Sequence, residues 1–276
     1  MQAPQTGRVG VFDSGVGGLT VVAALHRLAP ALRIDYLADS AYFPYGERTE
    51  EEIAERAIVL GTRLAEAGCN LLVVACNSAS SAALDRLRAA VSVPVVGIEP
   101  PLKPAAERTR TGRVLVLATP ATVRGERLQR LHRDHGGDAR IEALPMPGLA
   151  DLVEAGELDG PRIEAVLHAA LDGPLADGAD EVALGCTHYG FLRPVLARLL
   201  PAGTEVIDAA EPVARRVLHQ LKAHALSVPD GPSRPVDCAT TGDARAFATQ
   251  LERLRAAGAD LPPFEIIDIA THSEAR

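Results

Sequence analysis

The sequence predicts an α/β fold: two similar lobes with mainly parallel sheets flanked by helices, and a site in the cleft between them. Three observations carry this expectation. Short apolar segments alternate with helical segments of ten or more residues along the whole chain, the signature of parallel strands joined by crossover helices. The plan also repeats. Gly112-Arg113-Val114-Leu115-Val116-Leu117 echoes Gly7-Arg8-Val9-Gly10-Val11-Phe12, and two apolar runs that end in cysteine, 71–76 and 181–186, lie about 110 residues apart. That period is too long for a solenoid. Finally, 47% of the 276 residues are hydrophobic but only 3% are aromatic, with no Trp. The core must be built from Ala, Val, Leu and Ile, which suits helices packed on sheets. The expected division is 1–98 plus 208–276 for the first lobe and 99–207 for the second.

In order, residues 8–12 read as a buried strand that meets Asp13-Ser14-Gly15-Val16-Gly17-Gly18 and a helix to about 28. A strand over 34–38 leads into a loop ending Pro44-Tyr45-Gly46. Thr49 followed by three glutamates opens a helix that stops at Gly68, since a hydroxyl cap and early acidic residues favour a helix start. The strand before Cys76 and its helix come next, then a strand over 93–98 that Glu99-Pro100-Pro101 breaks. The second half gives a strand at 112–117, a polar loop at 118–122 and a short strand at 141–144. A loop over 146–156 carries Glu154, a helix covers 161–170, and the strand before Cys186 and its helix follow. Strand 206–208, helix 211–225, a Pro-rich loop over 227–235, strand 236–241, a helix near 244–257 and strand 264–269 close the chain.

The net charge of −8 argues against broad contact with a phosphate backbone, so no direct nucleic-acid binding is expected. Charged residues make up 23% of a chain this apolar, so disorder is not expected either. Residues 1–8 lack the apolar core of a signal peptide, and no run reaches the roughly 20 apolar residues of a membrane span. Four scattered cysteines make no disulfide framework. A cytoplasmic, reducing setting is expected.

Cys76 and Cys186 each sit where a strand meets a helix start, a place that lowers a thiol pKa. Either alone reads as an ordinary core cysteine; the duplicated context suggests two thiols aimed into one site. Four chemistries are open to such a pair. They are a redox couple (though C-x-x-C is missing), a Zn²⁺ site with His188 (though no fourth ligand is evident), one nucleophile with a helper, and a base and an acid on opposite faces of one carbon. The last uses the internal symmetry best. Cys69 and Cys238 read as inert core residues, and the histidines other than His188 as surface residues. His188 can orient the Cys186 thiol or pass its proton, or it can be a satisfied helix-start residue. Gly15-Val16-Gly17-Gly18 half-matches a dinucleotide fingerprint, with Asp39 as a possible ribose-binding acid. Thr20 replaces the third glycine, however, and Asp13 would crowd a phosphate. The amides of this loop can instead receive a carboxylate.

Taken together, these motifs resemble the glutamate racemases of the cofactor-independent aspartate/glutamate racemase superfamily. The matching pieces are Phe12-Asp13-Ser14-Gly15-Val16-Gly17-Gly18-Leu19-Thr20, Pro44-Tyr45-Gly46, Ala75-Cys76-Asn77, Leu152-Val153-Glu154-Ala155-Gly156-Glu157, Gly185-Cys186-Thr187-His188-Tyr189 and Thr240-Thr241-Gly242-Asp243. They span nearly the whole chain in order. The resemblance implies interconversion of L- and D-glutamate without cofactor or metal, supplying D-glutamate for peptidoglycan. It implies Cys76 and Cys186 as the catalytic acid/bases, assisted by Asp13, expected near Cys76, by His188, expected near Cys186, and by Glu154. It assigns Asp13, Ser14, Tyr45, Gly46, Asn77, Ser78, Thr122, Thr187 and His188 to substrate binding. The family pattern also implies a homodimer. Ser78 stands where Thr is usual, Gly190 where Pro is, Met146 where Cys is frequent and Pro101 where Gly is; none removes a catalytic group. Two alternatives stay open: a racemase of the same superfamily acting on aspartate or another amino acid, or a partner-binding, gyrase-modulating protein with secondary racemase activity.

Overall fold

The computed structural model describes residues 5–267 of the chain. The chain begins with β1 (Arg8–Asp13), α1 (Leu19–Leu28), β2 (Arg33–Ala38), α2 (Glu50–Glu66), β3 (Leu71–Val74), α3 (Asn77–Ala90), β4 (Val95–Gly97) and α4 (Leu102–Arg108). It continues with β5 (Arg113–Ala118), α5 (Pro120–Arg124), α6 (Glu126–His135), β6 (Arg140–Pro145), α7 (Leu149–Glu154), α8 (Pro161–Ala176), β7 (Glu181–Gly185), α9 (Arg193–Leu199) and β8 (Glu205–Ile207). The last elements are α10 (Ala210–Ala223), β9 (Val236–Thr240), α11 (Ala244–Ala256) and β10 (Phe264–Ile266).

The strands form a six-stranded sheet in the order β10-β9-β2-β1-β3-β4 and a four-stranded sheet in the order β6-β5-β7-β8. The pairings between these strands are parallel throughout. The run β2-β1-β3-β4 has the same order as β6-β5-β7-β8, so the echo in the sequence is a duplication of topology. Strands β3 and β7, which precede the two cysteines, are buried along their whole length, as strands covered by helices on both faces must be. The register aligns their ends with the central strands: Phe12 pairs with Val74 and Ala118 with Gly185. In each sheet the chain leaves the central strand toward both sides. Ligands bind beyond the carboxyl ends of strands at such a switch point. Asp13 and Cys76 stand there in one sheet, Thr119 and Cys186 in the other.

The reading of α2 holds in detail. The Thr49 hydroxyl accepts from the Glu52 amide while the Glu52 carboxylate accepts from the Thr49 amide, a capping box that satisfies two otherwise orphaned donors. Thr49→Ala is expected to cost about 1 kcal/mol of stability, read from urea unfolding as a lower midpoint.

Some elements differ from expectation. Residues 146–156 hold α7 rather than a loop, because Leu149, Ala150 and Val153 bury one face of a helix too short to read by periodicity. Helix α8 runs on to Ala176, through Pro174. Cys186 opens a 3₁₀ turn over Thr187–Leu192, not an α-helix, and α9 starts at Arg193 with a proline in its first turn. Of the strand expected at 264–269, three residues are paired. Residues 268 and 269, His272 and the first four residues of the N-terminal segment lie outside the described residues. Among the described residues no helix is long and apolar enough to cross a membrane.

Candidate active site

The carboxyl ends of the two sheets face each other across a cleft of about 530 Å³, its mouth included. Ser14, Tyr45, Gly46, Cys76, Asn77 and Ser78 line it from one side, and Cys186, Thr187 and His188 from the other. Both thiols are free and nearly buried, 6% and 7% exposed. Asp13, Thr122 and Glu154 stand one layer behind the wall, in contact with Ser14, Ser78 and His188 respectively.

Cys76 caps α3 with extended backbone, so its side chain projects past the helix start. Its Sγ lies 3.9 Å from Ser14 Oγ. The Ser14 hydroxyl and amide both donate to Asp13 Oδ1, at 3.1 and 2.5 Å. Thr187 Oγ1 donates to Asp13 Oδ2 at 2.7 Å, tying the end of β1 to the turn after β7. Burial raises the Asp13 pKa above the ordinary carboxylate value, against the opposing effects of the His188 charge and these hydrogen bonds. At Cys76 the expectation of a lowered thiol pKa is overturned. Burial and the nearby Asp13 carboxylate push it well above the usual thiol range, and the hydrogen bond offered by the α3 backbone does not compensate.

Cys186 has different company. Its Sγ lies 3.7 Å from His188 Nδ1, and His188 Nε2 lies 2.6 Å from Glu154 Oε1. The Val16 amide donates to the same Glu154 oxygen at 2.7 Å. Gln250 Nε2 donates to the Glu154 carbonyl at 2.9 Å and also to Glu154 Oε2. Burial disfavours a charged His188, yet its hydrogen bonds to Cys186 and Glu154 hold its pKa well above the ordinary value. These bonds therefore favour the folded state fully below the unfolded pKa of about 6.5 and lose that contribution as pH rises through the higher folded value. Melting temperatures recorded against pH are expected to fall less steeply on this alkaline limb for His188→Asn than for the wild type.

The glycine loop now has a physical reason. A Cβ on Gly15 would stand 1.8 Å from Glu154 Oε1, and one on Gly17 would stand 2.4 Å from His188 Nδ1. The glycines let side chains from beyond the second sheet close onto the start of α1. Since Val16 N–H is committed to Glu154, that amide is not free for a substrate carboxylate or a phosphate. Asp39 is no ribose-binding acid. It is fully buried, held by Arg56 through two bonds of 2.7 Å, by the Tyr45 hydroxyl at 2.5 Å and by Thr241 Oγ1 at 2.7 Å. It anchors the loop that carries Tyr45 and Gly46, and the Tyr45 hydroxyl is used in doing so.

Beside Cys76, Ser78 Oγ lies 3.1 Å from Thr119 Oγ1 and 3.3 Å from Thr122 Oγ1, a cluster of hydroxyls able to donate to an anion. Asn77 Oδ1 is buried with no hydrogen-bond partner, an acceptor facing a cleft that would suit an ammonium group. Phe43 closes the side near His188, its ring centroid 5.7 Å away. Cys69 and Cys238 lie in the core, and burial raises both thiols. Among the described residues no group of three or more His, Cys, Asp or Glu side chains is placed to hold a metal ion. Thr119 lines the cleft as its place at the end of β5, equivalent to Asp13 after β1, leads one to expect. Residues not foreseen include Phe43 and Met146 in the cleft wall and Gln250 behind Glu154; Gln250, far along the chain on a polar helix face, had no signal.

Residues 9–217 match the family model for Asp/Glu/Hydantoin racemases. The chain belongs to the Asp/Glu/Hydantoin racemase family. Within that racemase family, the glutamate racemase of Pseudomonas aeruginosa is 45% identical over 225 residues, covering 81% of this chain and 85% of its own. That of Roseiflexus sp. is 42% identical over 256 residues, covering 92% of each. The Escherichia coli glutamate racemase, solved in complex with L-glutamate and the activator UDP-MurNAc-Ala, aligns with a TM-score of 0.81 at 33% identity, covering 95% of this chain and 98% of its own. The Thermus thermophilus glutamate racemase, solved with β-chloro-D-alanine, aligns with a TM-score of 0.78 at 34% identity, covering 98% and 99%.

Proposed function

We propose that this protein is a glutamate racemase that interconverts L- and D-glutamate by two-base proton transfer at Cα, needing neither cofactor nor metal and supplying D-glutamate for peptidoglycan. The observation that carries the reading is the pair of free, buried thiols at equivalent strand ends of two duplicated sheets, both lining one cleft and each with its own polar partners. One thiolate takes the Cα proton from one face, and the opposite thiol returns a proton to the other face. The stereocentre inverts, and the enzyme is left with its proton on the other sulfur. The obstacle is the weak acidity of the Cα–H. The hydroxyl of Ser78 and the side-chain NH₂ of Asn77 are set to bind the substrate carboxylates, and the negative charge that develops next to them is stabilised without reorganisation.

The loop glycines matter to this chemistry. Gly17→Ala is expected to lower turnover at least about tenfold, because the new methyl displaces the His188 ring and small misplacements near reacting groups are costly. Circular dichroism of glutamate gives the rate, and far-ultraviolet spectra check the fold.

The deciding experiment starts from each enantiomer in D₂O and follows deuterium at Cα. Label confined at first to the product enantiomer supports two separate bases; label entering both enantiomers at once points to a single base. Parallel assays with L-aspartate test the alternative substrate, and little or no rotation change is expected there. The reading extends to a cytoplasmic homodimer, with lobes at 1–98 plus 208–276 and at 99–207.

A further inference from the structure

We propose that Gln250 is a positioning residue for proton transfer at Cys186: reaching over from α11, it fixes the Glu154 carboxylate that orients His188 on the thiol. The proposal rests on the racemase reading given above.

Helix α11 lies between β9 and β10, which extend the six-stranded sheet, whereas Glu154, Cys186 and His188 follow β6 and β7 of the four-stranded one. Gln250 therefore reaches across the molecule. Its contact is specific. Gln250 Nε2 bonds both the backbone carbonyl and the Oε2 of Glu154. Glu154 Oε1 is taken by the Val16 amide and by His188 Nε2. Each carboxylate oxygen thus has its own partners, and among the described residues Gln250 is the one side chain bonded to Oε2. The neighbouring turn of α11 is seated equally closely. Arg253 Nη1 donates to the Ala155 carbonyl, and a Cβ on Gly156, whose φ is +81°, would meet Arg253 Cγ at 2.7 Å.

The consequence follows from the proton path. With its Nε2–H donated to Glu154, His188 presents Nδ1 to the Cys186 sulfur 3.7 Å away. The pair shares one proton between Nδ1 and the sulfur: on Nδ1 it gives imidazolium beside thiolate, on the sulfur neutral imidazole beside thiol, and passing between the two gains or loses no proton. The imidazolium is stabilised by Glu154 only while the carboxylate points at Nε2–H. Without Gln250 the Oε2 restraint is lost, and the carboxylate is free to turn about its last bond. Among the described residues Gln250 makes no bond to the partners of Cys76: Ser14 donates to Asp13, and Asp13 accepts from Thr187. The effect is therefore centred on the Cys186 face.

Gln250→Met keeps the length of the side chain and removes the donor. Gln250 is half-buried on a helix surface, so the variant is expected to fold; Gln250→Ala serves as a second variant, and melting curves accompany both. Racemisation of α-deuterated and ordinary L- and D-glutamate is measured for the wild type and the variants. Turnover is expected to fall about tenfold with KM little changed. The primary isotope effect on kcat should rise for the enantiomer that Cys186 deprotonates and fall for the one that Cys76 deprotonates. Unchanged turnover overturns the proposal, and so does a loss of turnover that leaves both isotope effects as they were or moves them together. A wild type that racemises neither enantiomer overturns the racemase reading and this proposal with it; an active wild type with insensitive variants overturns the proposal alone.

Discussion

Cys76→Ala and Cys186→Ala are each expected to abolish racemisation of both enantiomers, with turnover down by about 10²–10⁴-fold, the span typical of removing a positioned acid or base. Both directions fail in both variants, because each turnover uses one sulfur as base and the other as acid. The substitutions are mild structurally. Each removes one sulfur atom from a cleft wall, and neither thiol carries a hydrogen bond on which the fold depends. The Cys76 thiol, raised by burial and by Asp13, rests protonated, and its thiolate, once formed, is a strong base. Hence Cys76→Ser should remain far below wild type despite keeping a hydroxyl, since an alcohol is a much weaker acid than a thiol. Rates are read by circular dichroism from each enantiomer in turn. Near-normal turnover in both directions by either alanine variant would end the two-base account.

The largest stability effect is expected at Arg56. Its guanidinium holds the fully buried Asp39 carboxylate with two bonds of 2.7 Å and lies 4.0 Å from the centre of the Tyr42 ring. Arg56→Ala leaves that charge buried with only two hydroxyl donors, Tyr45 and Thr241. Stranding one partner of a buried pair costs about 3–5 kcal/mol. The loss should show as a lower denaturant midpoint with an unchanged slope. It should also raise KM, because Asp39 anchors the loop bearing Phe43, Tyr45 and Gly46 on the cleft wall. The double variant Asp39→Asn with Arg56→Ala is expected to be more stable than Arg56→Ala alone, since the stranded charge is gone. Equal stability of the single and double variants would show that the ion pair is not the source.

Much of this was legible in the sequence, for reasons that can be named. Strands β1, β3, β5 and β7 are continuous apolar runs because both their faces are covered, and such runs are hard to mistake. The cysteines stood out because the duplication put them in matching frames. The capping box of α2 was written in four consecutive residues. What stayed hidden depends on contacts between distant segments. Gln250 meets Glu154 across 96 positions, and no local pattern marks it. The glycine loop invited a nucleotide because sequence shows a missing Cβ but not what fills the space; here it is Glu154 and His188. The thiol pKa at Cys76 departs from its local context for a related reason. The helix start is local and visible, whereas the burial and the Asp13 charge that outweigh it are products of the folded whole.

The unlike settings of the two sulfurs have a thermodynamic limit. Mirror-image amino acids have equal free energies in an achiral solvent, so at equilibrium their ratio is unity. The ratio kcat/KM must then be the same from either enantiomer, however different Ser14 with Asp13 on one side is from His188 with Glu154 on the other. The asymmetry can appear only as kcat and KM that rise or fall together. Beside unequal binding of the two enantiomers, two-base chemistry gives it a source in the unloaded enzyme, which then exists as two proton isomers, one with the thiolate at Cys76 and one with it at Cys186. The protein around each sulfur sets the balance between these isomers, and the enantiomer that meets the rarer one must wait for a proton to change places.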